Sequence, residues 1–193
     1  MKSVLISIQP KWCELIANGQ KTIEVRKTRP KIETPFKCYI YCTKAKYPHE
    51  DFITVDAGTE NAVAFYGGGK VVGEFICDFI EILFNDKGNP ESYMRDILPP
   101  ILQKTAMGYD EFADYVGSRG KGKDIYGWHI SDLVIYDEPK ELSDFMRVCD
   151  GACSVCSNCQ NFVRYGDFSI GTCDLADRLI TRAPQSWCYV EEL

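Results

Sequence analysis

Long hydrophobic runs are missing from this sequence. Its clean runs are short, such as Val4-Leu5-Ile6 and Ala62-Val63-Ala64-Phe65-Tyr66, far below the ~20 residues that a spanning helix needs. The apolar stretch near Met1 is too short for a secretory signal, so a cytoplasmic protein without membrane contact is expected. Histidine is scarce, at positions 49 and 129 alone. Neither lies in a nucleophile motif, and no Gly-x-Ser-x-Gly or P-loop is present, which removes the commonest hydrolase and NTPase signatures. No internal repeat is visible, so solenoids and propellers are excluded. A basic surplus is also lacking, since the net charge is −6. Disorder is excluded by an ordinary globular balance of 45% apolar and 26% charged residues.

The charge is distributed unevenly. Residues 1–46 hold ten Lys or Arg against three Glu, a surplus of seven; the remainder carries −13. An acidic protein can therefore still present one positive face.

Strand patterns dominate. Ser3–Ile8 reads as a strand. Pro10 suits the first turn of a helix carrying Trp12, Cys13, Leu15, Ile16 and Ala17 on its apolar side, which Gly19 stops. Lys21–Lys27 reads as a second strand, with Ile23 and Val25 on one face and Glu24 and Arg26 on the other. Phe36–Cys42 is a third. Residues 44–61 read as a polar connection, Lys70–Leu83 as one long strand or two, and residues 85–108 as mixed. Tyr109–Val116 reads as a short helix and Gly117–Lys123 as a flexible basic loop. Tyr126–Tyr136 reads as a strand stopped near Pro139, and Ser186–Val190 as a last strand. Five to seven strands with few helices and irregular connections predict an α+β fold, a mixed β-barrel with small flanking helices.

Gly19-Gln20-Lys21-Thr22-Ile23-Glu24-Val25-Arg26 fits Gly-x-Lys-x-x-Glu-x-Arg, placed after a strand and a Pro-capped helix. Lys21 stands at the mouth of the strand, and Glu24 and Arg26 share a face. Such a cluster can hold a phosphate or a base edge: Arg binds bidentately, Lys acts as a point charge, and Glu accepts from an exocyclic amine. An exposed Glu–Arg ion pair of little consequence is the competing account. The motif and its setting resemble the ASCH domain family, with its PUA-like β-barrel. The resemblance covers residues 1–146 and 184–193. Softer support comes from Val71-Val72-Gly73-Glu74-Phe75 and Tyr126-Gly127-Trp128-His129-Ile130-Ser131. The whole chain looks like ASCH proteins of bacteriophages and gut bacteria, which often end with a segment like Pro184–Val190.

That resemblance implies binding of RNA or of a modified nucleoside or nucleotide. It also raises a hydrolase alternative, because some small members are amidohydrolases of acylated cytidine nucleosides and others are reported as ribonucleases. In the amidohydrolases the motif's Lys works with a Thr three residues later; here that position is Glu24, so the nucleophile is missing. Lys21 and Glu24 are the remaining catalytic candidates, Glu24 as a base activating water. Trp12 and Trp128 are candidates for stacking a base, Tyr39 and Tyr41 weaker ones, with core packing the alternative for each.

Ten cysteines are many for 193 residues. Cys13, Cys38, Cys42 and Cys77 lie among apolar residues and read as buried small hydrophobes, and Cys188 as packing in the last strand. Cys149, Cys153, Cys156 and Cys159 fall within eleven residues, followed by Cys173. Two Cys-x2-Cys steps and a distant Cys can wrap a tetrahedral zinc ion, which would staple a segment with little core of its own. Cys153, Cys156, Cys159 and Cys173 are the first choice of ligands, with Cys149 the alternate. Disulfides, an iron–sulfur cluster and free thiols are the rivals. Residues 147–183 are thus expected to form a zinc-binding insertion, which could also dock a protein partner.

Overall fold

The computed structural model describes residues 2–56, 62–85, 87, 96, 98–117, 124–148, 163–165, 168–170 and 179–192. The cysteines expected to bind metal and positions 118–123 of the basic loop lie outside them. Strands dominate the described residues, with three α-helices, as the α+β reading expects.

A six-stranded mixed sheet forms the centre. Its order is β10 (Phe145–Arg147), β13 (Trp187–Glu192), β1 (Ser3–Ile8), β3 (Phe36–Cys42), β6 (Val71–Cys77) and β9 (Ser131–Lys140). The β1–β3 pair is parallel and its other pairings are antiparallel. A second sheet pairs β2 (Ile23–Arg26), β8 (Ile125–His129) and β7 (Ile80–Phe84). Two hairpins, β4 (Phe52–Val55) with β5 (Val63–Tyr66) and β11 (Val163–Tyr165) with β12 (Phe168–Ile170), complete the strands.

Period-two alternation sorts the side chains into layers. Val4, Ile6 and Ile8 of β1 and Cys38, Ile40 and Cys42 of β3 point into one core with Phe75 and Trp128. Their neighbours Leu5, Tyr39 and Tyr41 point the opposite way, onto Phe145, Ile180 and Val190. On β2, Ile23 and Val25 pack against Leu98, Leu102 and Phe112 of helices α2 (Leu98–Thr105) and α3 (Tyr109–Gly117). All four β2 residues are buried, because its other face is covered too. Glu24 and Arg26 occupy that second face. Alternation puts both charged side chains on that face, and the cover over it encloses them.

Helix α1 (Pro10–Ala17) links β1 to β2. Pro10 occupies its first turn, where a missing N–H costs nothing. The chain leaves through Gly19, whose φ of +68° suits a residue without Cβ. The Gly19 N–H donates to Ile16 O, and those of Gln20 and Lys21 to Leu15 O. This tight exit turns Lys21 back beneath the helix it follows.

Several segments depart from the sequence reading. Of the one or two strands read over residues 70–83, two are present, and they lie in different sheets. The stretch 125–140 also divides, with Asp132 at φ +46° beside the break. Pro139 lies inside β9 rather than ending it. The connection 44–61 contains β4, and 85–108 contains α2, whose Pro99 and Pro100 fit its first turn. Among the described residues, no helix is long and apolar enough to cross a membrane.

Candidate functional site

Lys21, Glu24 and Arg26 meet in space and are 3%, 5% and 9% exposed. The competing account of a surface ion pair does not apply. Glu24 Oε1 lies 2.9 Å from an Arg26 Nη, and Glu24 Oε2 lies 3.2 Å from Lys21 Nζ. Lys21 Nζ also donates to Thr105 O at 2.8 Å, and Arg26 donates to Ser7 O at 2.6 Å. Two cations share one carboxylate, so the group keeps one unit of positive charge. Saturation is incomplete: Glu24 Oε2 faces the ammonium without a directed hydrogen bond, and Arg26 Nε has no partner.

A cleft of about 790 Å³ opens over this group. Its walls come from distant parts of the chain. β1 and α1 supply Ser7, Gln9 and Trp12. The turn after α2 supplies Met107, and α3 supplies Glu111, Asp114 and Tyr115. The stretch before β13 supplies Arg182, Ala183, Pro184 and Gln185. The Ser7 hydroxyl donates to Pro184 O at 2.7 Å, fixing that last wall to β1. Tyr115 donates to Val25 O at 3.4 Å, fixing α3 to β2.

Trp12 is half-buried and lines the cleft. Lys21 Nζ stands 4.9 Å and Lys11 Nζ 4.2 Å from its ring centroid, so the indole contacts cations of both segments. Trp128 is placed otherwise. It is fully buried, edge-on to Phe36 at 5.9 Å and tilted against Trp187 at 6.0 Å. It does not line the cleft, so no base can stack on it in this arrangement. Its position on β8 opposite Glu24 directs the ring into the core between the sheets. Tyr39 and Tyr41 are likewise core residues on the far face of the central sheet, Tyr39 against Phe145 at 4.8 Å.

The chemistry available is recognition more than hydrolysis. Both Glu24 oxygens face cations and the residue is almost wholly enclosed, a poor setting for activating water. Thr22 is exposed. Thr105 lies beside Lys21, but it is fully buried and its hydroxyl donates to Leu102 O at 2.8 Å. His129 Nε2 is 2.7 Å from Glu81 Oε1, outside the cleft. Cys13 and Cys38 are close enough for Glu24 and Arg26 to influence them, yet burial pushes both thiols well up and keeps them protonated. Among the described residues, no group of three or more His, Cys, Asp or Glu is arranged to hold a metal ion.

Arg182, Glu111, Asp114 and Tyr115 escaped the reading of the sequence as site residues. Nothing local marks them; only the packing of α3 on β2 and the anchoring of Pro184 on β1 bring them to Lys21. The helical spacing of Phe112, Tyr115 and Val116 shows only which side of α3 packs inward, and so leaves Glu111 and Asp114 at its margins without naming a site.

No family model and no curated protein matches the chain. Solved structures of an ASCH protein from Zymomonas mobilis are similar to it. Two single-substitution variants of that protein match at 16% identity and a TM-score of 0.48, covering 83% and 72% of this chain and 85% and 74% of theirs. A third structure, described as ASCH from Zymomonas mobilis, matches at 16% identity and a TM-score of 0.47 over 82% of this chain and 81% of its own.

Proposed function

We propose that this chain is a binding module of the ASCH, PUA-like class that takes RNA or a modified nucleoside or nucleotide into the cleft above Lys21, Glu24 and Arg26. One observation carries the reading: an enclosed Lys–Glu–Arg group with a surplus positive charge forms the floor of an open cleft. Enclosing three charges costs several kcal/mol per ion, and apolar residues of similar volume would stabilise the fold as well or better. A cation pair around one carboxylate gives donors for a phosphate or carbonyl and an acceptor for an amine. Trp12 offers a face on which a base can lie. The motif that resembles the ASCH family supplies these residues.

The test is native mass spectrometry and calorimetry of the full chain with the four ribonucleoside monophosphates, acylated cytidine and short RNA. Retention of one of these, lost in Arg26→Ala with the circular dichroism unchanged, supports the reading. Absence of binding at low salt, or binding that ignores Arg26→Ala, overturns it. Conversion of a probe by the protein would assign the cleft to catalysis instead.

For the cysteine-rich stretch the proposal is one structural zinc held by thiolates from Cys153, Cys156, Cys159 and Cys173, with Cys149 the alternate. Its support is the spacing alone.

A further inference from the structure

A second groove, of about 770 Å³, lies beside the cleft along α1. The two share Gln9 and Thr43 as lining residues. They also meet at an ion pair: Lys11 of the groove stands 3.6 Å from Glu111 of the cleft. Trp12 is at this junction, with the Lys11 and Lys21 ammonium groups both over its ring.

The groove has a basic and aromatic character. Lys11, Lys44 and Lys46 line it, all from the first 46 residues that hold the basic surplus. Glu14 and Glu50 oppose them, the Glu14 carboxylate also accepting from the Thr54 N–H at 3.0 Å, so the lining keeps a surplus of one positive charge. His49 and Phe52 also line it. Phe52 is 51% exposed, and Tyr47 lies parallel behind His49, 18° between planes and 5.8 Å between centroids.

The lysine-bearing segment is held in place. Asp51 is 4% exposed and accepts from Ala45 N–H at 2.6 Å and Tyr66 OH at 3.1 Å. Its backbone carbonyl accepts from Gly67 and Gly68 N–H. A buried carboxylate thus fixes the loop 45–51 against the β5–β6 turn, so that Lys44 and Lys46 border a formed groove. Ammonium groups beside an exposed flat ring are what a single strand requires: charge for its phosphates and a face for an unstacked base.

We propose that the groove continues the cleft, so that the protein holds a single-stranded oligonucleotide with one nucleotide over Lys21–Glu24–Arg26 and its neighbour along Lys11, Lys44, Lys46 and Phe52. This rests on the cleft being a nucleotide site, and it excludes a free nucleoside as the complete ligand.

The probes are a mixed-sequence RNA hexamer, its DNA counterpart and the four ribonucleoside monophosphates, titrated into the full chain at several salt concentrations. The hexamer is expected to bind at least about tenfold more tightly than the best monophosphate at low salt. The Lys44→Ala/Lys46→Ala variant is expected to abolish that advantage and reduce the single-strand salt slope by about 1.4, the value for two lost phosphate contacts. Monophosphate binding should survive in it, which reports an intact fold and cleft. Phe52→Ala is expected to weaken the hexamer alone. Equal binding of RNA and DNA hexamers supports contacts to phosphate and base; a preference for RNA supports them with an added 2′-hydroxyl contact. A hexamer no tighter than a monophosphate, or one indifferent to the double lysine variant, overturns the groove and leaves the cleft standing. Failure of every probe overturns both.

Discussion

Lys21 Nζ donates to the carbonyl of Thr105, 84 positions along the chain, at 2.8 Å. This bond ties the motif to the end of α2. The Thr22 N–H reinforces it by donating to Lys104 O at 2.8 Å. The cleft floor and the helical layer are therefore one mechanical unit, and mutations in the floor should be read for both stability and binding.

Removing the whole charged group separates those effects. Glu24→Leu alone leaves two enclosed cations facing each other and should cost about 3–5 kcal/mol of stability. The triple change Lys21→Met, Glu24→Leu, Arg26→Met should be near neutral in urea unfolding, within about 1–2 kcal/mol of the parent, because apolar isosteres remove all three desolvation costs together. Ligand binding should be lost in the triple variant. A triple variant less stable than Glu24→Leu would show that the group serves the fold.

Alkaline pH should destabilise the protein. Burial, aided by the Asp78 charge, pushes the Cys77 thiol from 9.0 to about 12, and burial raises Cys13 and Cys38 as well. Below pH 9 these thiols are protonated in both states and the stabilisation is complete. Above it the unfolded chain releases protons that the folded chain retains, so stability falls by about 1.4 kcal/mol per pH unit for each thiol. For Cys77 the decline continues to its folded value near 12. Urea midpoints between pH 7 and 10.5 check this, and Cys77→Ala should show a shallower fall. A flat profile would contradict the burial of these side chains.

Asp51 should be the most sensitive of the residues that hold the groove's lysine-bearing segment in place. Asp51→Ala removes the acceptor of the Ala45 N–H and of the Tyr66 hydroxyl and should cost about 1–3 kcal/mol, chiefly through the Ala45 bond. The hydrogen bond to Asp51 raises the Tyr66 phenol, so Asp51→Ala should lower its titration midpoint toward the ordinary tyrosine value. Ultraviolet difference titration reads that shift. Gly68→Ala should be nearly as damaging, because an added Cβ would run into the Asp51 carboxyl group.

Metal analysis addresses the cysteine stretch. One zinc per chain is expected after expression in zinc-supplemented medium. Cys156→Ser should lose it and Cys149→Ser should keep it. Preparations that hold no zinc, or that keep it in Cys156→Ser, would rule out the proposed ligand set.

How much of this was legible in the sequence depends on range. β1, α1, β2 and β3 were legible because each carries its own period and punctuation, such as Pro10 and Gly19. That Glu24 and Arg26 share a face followed from alternation. Their burial did not, because it depends on the central sheet covering the second face of β2. A break within residues 70–83 stayed an open alternative and the one near Asp132 was missed, since β-branched and aromatic residues continue through both and only the exchange between sheets separates the strands. Trp128 illustrates the general difficulty. An aromatic near a motif reads the same whether it faces ligand or core, and only the register of β8 on β2 decides. The helix α2 was obscured by Pro99 and Pro100, which deter a helix everywhere except in its first turn.

The ends of the cysteine-rich stretch are neighbours. Met146 forms an antiparallel bridge with Leu179, and Ile180 N–H donates to Phe145 O at 2.9 Å. Three residues after Leu179 the chain delivers Arg182 to the cleft. A segment that leaves and returns at one point can be exchanged for a longer or shorter one without moving the sheet around it. The returning segment, however, also forms one wall of the cleft through Arg182, Ala183, Pro184 and Gln185. Grafting a different segment between Val148 and Leu179 should therefore leave Arg182 and Pro184 in that wall as long as the Met146–Leu179 bridge and the Ser7–Pro184 hydrogen bond are kept.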